Sequence, residues 1–598
     1  MTQDTMTQDT MTQAIDPILV TVIQHRLKAI TEEMGLVMLR TARSPILSEA
    51  RDFVTGLYDA KGELMEQTAY IPILAFAVPL SIKYMVEYFG DELYPGDVII
   101  HNDPYTGGNQ PADVKIVRPI FVDDQLVGFA AINGHQADVG GAVAGAYNPG
   151  ATEIWQESLR ITPVKLYEKG VKRRDVWDLV FGNIRFPIVQ EDIQAAMGGC
   201  AVGERELVKL VRRHGLARFE AHLDHLYDAT EQQMRAEIAA MPDGVYHGQS
   251  TAYYDGINPG SKMDIKVAVT IKGDEINFDF TGTAAQTPGF VNAPLGSSMT
   301  AVILSLLMCL KDPDLPQNAG MIRPITMHMP AGSMVNPEFP AASTFGNHLS
   351  DQISAAIFNA MAGAVPERVT APWNPLFAIA AIGFNQRTNQ PFVDILFNGL
   401  KGGGGAMQGA DGYDHIGLIA CGGGLLAQDP EMFEMKDPLF IHSFEYQPDS
   451  AGAGEWRGGL GVALDMEFLG DDNMISAFGD GIEPGSQAHG LAGGKDGILN
   501  RGELVYPDGK THRCASKEIV EGIPKGTHWH QIAGGGGGYG DPFKRPAQRV
   551  AREVLYGLIS SQAARDDYGV VVDPQSGAVD EAASEALRTG RAAEAQDG

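Results

Sequence analysis

The chain has 598 residues, of which 44% are hydrophobic, enough for two or more domains with substantial buried cores. Its formal net charge of −30 argues against nucleic-acid binding through a basic surface. Cys200, Cys309, Cys421 and Cys514 are spaced for neither a disulfide framework nor a structural zinc site, which suits a reducing, cytoplasmic compartment.

Residues 1–13 repeat Met-Thr-Gln-Asp-Thr twice and restart at Met11. They lack the basic region and apolar core of a secretory signal, and are expected to be a disordered extension. Asp16-Pro17 reads as a helix N-cap followed by proline, with Ile18, Val22, Ile23, Leu27, Ile30, Met34, Val37 and Met38 at helical spacing up to about Arg43. Leu57 to Leu64 reads as two short strands around a tight turn, and Val98-Ile99-Ile100 and Ile116-Val117 as strands bracketing a polar loop. Residues 189–240 carry a long amphipathic helical pattern, and alternating runs such as Asp264 to Val269 and Glu275 to Phe280 open a strand-rich region at Gly244. Met299 to Leu310 is the most apolar long stretch and is shorter than the ~20 residues of a membrane span, so it predicts a buried helix.

Residues 400–540 are crowded with glycine runs, which read as tight turns in a strand-rich domain. None continues into the Gly-Lys-Ser or Gly-Lys-Thr of a phosphate loop, and the N-terminal part has no dinucleotide-binding glycine fingerprint. A helix is expected after Pro546, and a disordered tail from about Ser576 whose removal leaves folding nearly unchanged. The fold class is therefore α+β and multidomain. The expected units are a mixed α/β domain over 14–188, a helical arm over 189–243, a β-rich, glycine-rich domain over 244–545, a C-terminal helix over 546–575 and a tail over 576–598.

Ligand-type side chains concentrate in the first domain: Asp52, His101, Asp103, Gln110, Asp113, His135 and Asp138. Carboxylate and imidazole together suit zinc, manganese or iron, and a three-ligand site leaves a position for water. The alternative is structural, because histidines commonly sit in hydrogen bonds and aspartates before proline or glycine cap turns. His101 is read in that structural sense.

Several motifs resemble the hydantoinase B and 5-oxoprolinase family in order. They are Arg51-Asp52-Phe53, Asn102-Asp103-Pro104-Tyr105, Gly107-Gly108 with Asp113-Val114, and Gly134-His135-Gln136-Ala137-Asp138, then Gly454 to Gly461, His489 to Gly497 and Gly535 to Pro542. The resemblance covers about residues 14–575 and implies metal ligands at Asp52, Gln110, Asp113 and His135. Gln110 departs from the pattern, since histidine is usual there and an amide oxygen is the weaker zinc ligand.

By the same resemblance the chain is one subunit of an ATP-dependent cyclic amide hydrolase, with lactams such as caprolactam as the expected substrates. A separate ATPase subunit, hydantoinase A-like, holds ATP and phosphorylates the lactam oxygen, and the two assemble as a dimer of heterodimers. Asp103 and Asp138 are the candidate proton acceptors; Ser343 to His348 reads either as a capped strand-to-helix turn or as cavity lining, with His348 the candidate catalytic residue. No nucleic acid and no membrane is expected as a partner. The resemblance also admits the metal-binding subunit of an ATP-dependent ketone carboxylase, and, outside enzymes, a scaffold for the ATPase.

Overall fold

A computed structural model describes the backbone of residues 15–597 and the side chains of residues 15–590; the repeat at 1–13 lies outside the described residues. Asp16 accepts from the backbone N–H groups of Ile18 and Leu19, and the helix Pro17–Thr41 follows, with Leu19, Ile23, Leu27, Ile30, Met34 and Met38 on its buried face. Such a cap contributes about 1 kcal/mol.

The first sheet contains β1 (Phe53–Asp59), β2 (Leu64–Ala69), β3 (Val98–His101), β4 (Asp113–Val122), β5 (Gln125–His135), β6 (Val164–Glu168) and β7 (Val171–Lys172), in the order β2-β1-β5-β4-β3-β6-β7. Asp59 Oδ1 accepts from the N–H groups of Lys61 and Glu63 and so closes the turn between β1 and β2.

The helices Pro187–His214 and Leu216–Ala239 occupy the region expected to be an arm, and the first of them lies flat on the sheet. A β-carbon on Gly199 would meet Ile132 at 2.5 Å and the carbonyl oxygen of Met34 at 3.1 Å, and one on Gly203 would meet Ala130 at 2.9 Å. Glycine at these positions lets the helix pack against Pro17–Thr41 and β5 as an integral layer of the core.

The second sheet, β8 (Gly244–Tyr253), β9 (Lys262–Lys272), β10 (Glu275–Asp279) and β11 (Ile325–His328), runs in the order β11-β10-β9-β8. Two buried helices, Leu295–Met308 and Ser350–Met361, belong to the same region. One apolar core runs continuously from Leu19 through the first sheet, these helices and the second sheet to Phe478.

The remaining strands form two sheets around a second core that contains Phe377, Leu464, Ile475 and Trp529. They are β12 (Phe377–Asn385), β13 (Gln390–Ile395), β14 (Leu439–Tyr446), β15 (Val462–Phe468), β16 (Asn473–Gly479), β17 (Arg501–Val505), β18 (Thr511–Arg513), β19 (Glu518–Ile523) and β20 (His528–Ile532), in the orders β13-β12-β16-β19 and β14-β15-β20-β17-β18.

Several glycine runs in this part are not simple turns. Their segments lie side by side outside the strands, with Gly459 N–H donating to Gly404, Gly536 N–H to Gly459 and Gly452 N–H to Gly536. A β-carbon on Gly403 would stand 1.9 Å from the Gly459 carbonyl oxygen, and one on Gly536 2.0 Å from that of Gly404. Contact of backbone on backbone is what requires glycine there.

The tail is ordered where disorder was expected. β21 (Val571–Val572) pairs with β22 (Val579–Asp580), and the helix Glu581–Asp597 follows. Ser584 is buried, and the Arg588 guanidinium donates to the carbonyls of Tyr568 and Arg545. The helices Ala547–Leu555 and Ser561–Tyr568 supply most of the buried residues of this C-terminal core, and Val579 of the tail packs against them.

Candidate metal centre

Three strand ends meet at one rim of the first sheet. β4 starts at Asp113 and β5 ends at His135, and the antiparallel register sets these residues directly opposite each other. Their side chains share a face, and Asp113 Oδ1 accepts from His135 Nδ1 at 3.0 Å. β1, on the other side of β5, begins one residue after Asp52, whose carbonyl accepts from the backbone N–H of His135 at 3.0 Å. Arg51 holds a left-handed φ of 62° immediately before it, a conformation that costs about 1 kcal/mol or more in a non-glycine residue and recurs at functional sites.

The loop before β4 adds Gln110, whose amide nitrogen lies 3.3 Å from Asp113 Oδ1 and 3.0 Å from His135 Nδ1. Gln110, Asp113 and His135 are at most 2% exposed. The structure thus brings Gln110, Asp113 and His135 into contact and holds Asp52 beside them through its backbone.

Their electrostatics follow from burial. Removal from water pushes the Asp52 carboxyl up to about 7, against the pull of His135. Burial opposes a charge on His135, but the hydrogen bond to Asp113 and the charges of Asp52 and Asp113 outweigh it and raise the imidazole above its ordinary value.

Several donor atoms have no internal partner. His135 Nε2 and Gln110 Oε1 are buried without a hydrogen bond among the described residues, an arrangement that costs about 1–3 kcal/mol per group unless something else binds there. Asp113 and Gln110 both stand on the Nδ1 side of the His135 ring, so Nδ1 is the nitrogen that could share a cation with them. Carboxylate, imidazole and amide oxygen are donor types that suit a divalent cation.

The second half of the chain closes the site. Asn347 Nδ2 donates to Asp113 Oδ2 at 2.6 Å, while Asn347 Oδ1 accepts from Ser297 Oγ at 2.7 Å. The Tyr147 hydroxyl lies 2.8 Å from His348 Nε2 and 3.4 Å from the Gln110 amide nitrogen, and its ring stacks on Phe478 with centroids 3.7 Å apart. Burial and then the His135 charge bring His348 down to about 3, so it is a neutral imidazole, and its buried Nδ1 has no partner among the described residues.

Glu157 fixes the segment that carries Asn347 and His348 by accepting from the N–H groups of Ser343 and Thr344, each at 2.8 Å. Lys115, two residues into β4 from Asp113, is wholly buried, its amine has no hydrogen-bond partner among the described residues, and burial lowers it to about 8.

Asp103 and Asp138, expected as proton acceptors, are engaged elsewhere. Asp103 pairs with Arg160 at 2.8 Å and accepts from Tyr105 N–H and Thr106 Oγ1. Asp138 pairs with Arg185 at 3.1 Å and accepts from the N–H groups of Gly140 and Arg185. These ion pairs and backbone hydrogen bonds make both carboxylates supports for their loops. His101 makes the structural hydrogen bond expected of it, to Thr106 Oγ1 at 2.8 Å. Sequence reasoning missed Tyr147, Asn347, Glu157 and Lys115. Only Asn347 carried a signal, as the neighbour of His348.

Residues 16–542 match the hydantoinase B/oxoprolinase family. The chain belongs to that family. It is 35% identical to the beta subunit of the caprolactamase of Pseudomonas jessenii, over 96% of this chain and 99% of that one. The crystal structure of the ATP-dependent caprolactamase from Pseudomonas jessenii superposes with a TM-score of 0.89 at 34% identity, covering 96% of this chain and 100% of that chain. The B-type subunit of a putative D-/L-hydantoinase of Pseudomonas sp. (strain NS671) is 31% identical over 93% of this chain and 95% of that one. An acetone carboxylase chain shares the fold alone, with a TM-score of 0.90 at 21% identity, over 97% of this chain and 84% of that chain.

Proposed function

We propose that this chain is the metal-dependent hydrolytic subunit of an ATP-dependent cyclic amide hydrolase that opens a lactam of the caprolactam type. The observation that carries the reading is the buried contact of Gln110, Asp113 and His135, with Asp52 on the adjoining strand end, in a chain similar over nearly its whole length to a caprolactamase subunit.

An unstrained lactam resists hydrolysis because nitrogen donation stabilises the carbonyl and the amine leaves poorly. A hydantoinase A-like ATPase partner that phosphorylates the lactam oxygen removes the first obstacle, and a dimer of heterodimers is the assembly proposed. A divalent cation held by Asp52, Asp113, His135 and Gln110 Oε1, zinc with manganese or iron as alternatives, supplies Lewis acidity.

The protein groups do the rest. Asn347 fixes Asp113, which contacts His135 Nδ1. His348, neutral and hydrogen-bonded to the Tyr147 hydroxyl, is proposed to line the cavity and hold that hydroxyl beside Gln110. Phe478 and the buried walls exclude bulk water. Four buried, unpaired cysteines accord with a cytoplasmic location.

Co-expression with the ATPase subunit, followed by a screen of lactams and ketones with ATP, tests the reading. Lactam opening that needs both subunits is expected. Ring opening by this chain alone, or CO2 incorporation into a ketone, overturns it. His135→Ala should lower metal content and turnover together, whereas Gln110→His should raise metal affinity because imidazole is the stronger donor; full metal and full turnover in His135→Ala would place the metal elsewhere.

A further inference from the structure

The outer face of the sheet containing β14, β15 and β20 carries a second group of metal-ligating side chains, remote in sequence from the rim cluster. On β15 and β20, Met466 and Trp529 point into the second core, so Asp465, Glu467, His528 and His530 share the opposite face. The register sets Glu467 opposite His528 and Asp465 opposite His530.

β14, the edge strand, is bulged between Ile441 and Ser443, and the extra residue is His442. A bulge re-aims the side chain it inserts. Here it brings His442 Nε2 to 2.9 Å from Glu467 Oε2, and its ring to a centroid separation of 4.8 Å from that of His528. The ligand atoms of His442, Glu467 and His528 all lie within 4.8 Å of one another. Asp465 Oδ1 accepts from His528 Nδ1 at 2.8 Å, which leaves Nε2 with the lone pair, as in carboxylate-oriented metal-binding histidines.

We propose that His442, Glu467 and His528 bind a divalent transition cation of the zinc class, with Asp465 orienting His528. Two imidazoles and one carboxylate are a nitrogen and oxygen set suited to zinc. The three side chains are 38%, 24% and 32% exposed, so water completes the coordination. The ion joins the edge strand β14 across β15 to β20, so its role is to clamp the sheet edge, independent of the chemistry at the rim. His530 lies 3.4 Å from Asp465 Oδ1 and shares His528 in an overlapping set, and it stands outside the proposed ligands.

The test is calorimetric titration of the EDTA-treated full chain with zinc, comparing wild type with His442→Gln, Glu467→Gln, His528→Ala and His530→Gln. All four positions lie on the outer face, and far-ultraviolet circular dichroism verifies folding. His442→Gln, Glu467→Gln and His528→Ala should each bind one equivalent fewer than wild type, and His530→Gln the same number. Zinc should also raise the Tm of wild type more than that of Glu467→Gln. Because the count is a difference, it holds whether or not the rim cluster takes metal. Unchanged stoichiometry in His528→Ala overturns the site, and retention in His442→Gln or loss in His530→Gln overturns the ligand set.

Discussion

Replacing Asn347 with alanine tests whether the second half of the chain holds the carboxylate at the centre of the rim cluster. Asn347 bridges Ser297 Oγ and Asp113 Oδ2 with bonds of 2.7 Å and 2.6 Å, and none of the three residues is more than 3% exposed. A hydrogen bond to a charged group contributes about 1.5–3 kcal/mol, and a buried hydroxyl stripped of its partner costs about 1–3 kcal/mol. Asn347→Ala should therefore destabilise the fold by roughly 3–5 kcal/mol and weaken metal retention, because Asp113 loses its anchor. The contributions separate in a double-mutant cycle. In a Ser297→Ala background no hydroxyl is left unpaired, so Asn347→Ala should cost about 1 kcal/mol less than in wild type. Urea unfolding followed by circular dichroism measures the stabilities, and elemental analysis the metal. A cost below about 0.5 kcal/mol, the scatter of ordinary surface substitutions, would refute the bridge.

Three further predictions follow from buried groups outside the rim. Burial raises Glu157 from 4.5 to about 8 despite two backbone N–H donors. The native state thus keeps a proton that the unfolded chain has released, so its stabilising effect is full below about pH 4.5 and is lost as pH rises through about 8. The slope is at most about 1.4 kcal/mol per pH unit; Glu157→Gln should flatten it in denaturation midpoints between those limits, and an unchanged slope counts against the assignment. Gly403→Ala sets a methyl 1.9 Å from the Gly459 carbonyl oxygen and should cost more than about 4 kcal/mol or prevent folding, whereas Gly590→Ala meets no atom within 4 Å and should be neutral or stabilising by up to ~1 kcal/mol; equal melting temperatures would undo the close-packing argument. Deleting residues 576–598 removes β22, Ser584 and Arg588 from the C-terminal core and should lower stability by about 2 kcal/mol; an unchanged melting temperature would restore the reading of a free tail.

What was legible in the sequence is what short-range chemistry dictates. Asp16-Pro17 begins a helix because a carboxylate can cap it and proline lacks only an N–H that has no partner there, and the cap is present. The strands around the loop before Asp113 were legible from their β-branched runs. The pairing of Asp113 with His135 was not, because register is a property of two strands together. Glycine runs and the acidic tail were misread for a related reason: composition reports what a segment cannot bury by itself, while Gly403, Gly536, Ser584 and Arg588 are placed by partners far along the chain.

The same distinction applies to Asp103 and Asp138. Asp103 and Asp138 drew attention because acidic residues in polar loops are common catalytic groups, but a carboxylate in such a loop is also what caps its turns and pairs with a nearby arginine. The structure shows that second use at both positions. His348 reaches the rim through Tyr147, and Tyr147 is held by Phe478 and by Ser476, whose hydroxyl donates to the Tyr147 carbonyl at 2.7 Å. The neutral imidazole beside the donor set is therefore positioned by β16, an element of the C-terminal sheets, while the carboxylates come from β1 and β4. The proposed ligands and the His348 side of the cavity thus come from different parts of the chain. Their shared core, which runs unbroken from Leu19 to Phe478, sets the distance between the two. A substitution that loosens that core near Phe478, such as Phe478→Ala, should reduce turnover with the partner present while leaving metal content unchanged. Loss of metal in that variant would show that the Tyr147 and His348 side of the site supports the ligands rather than the cavity wall.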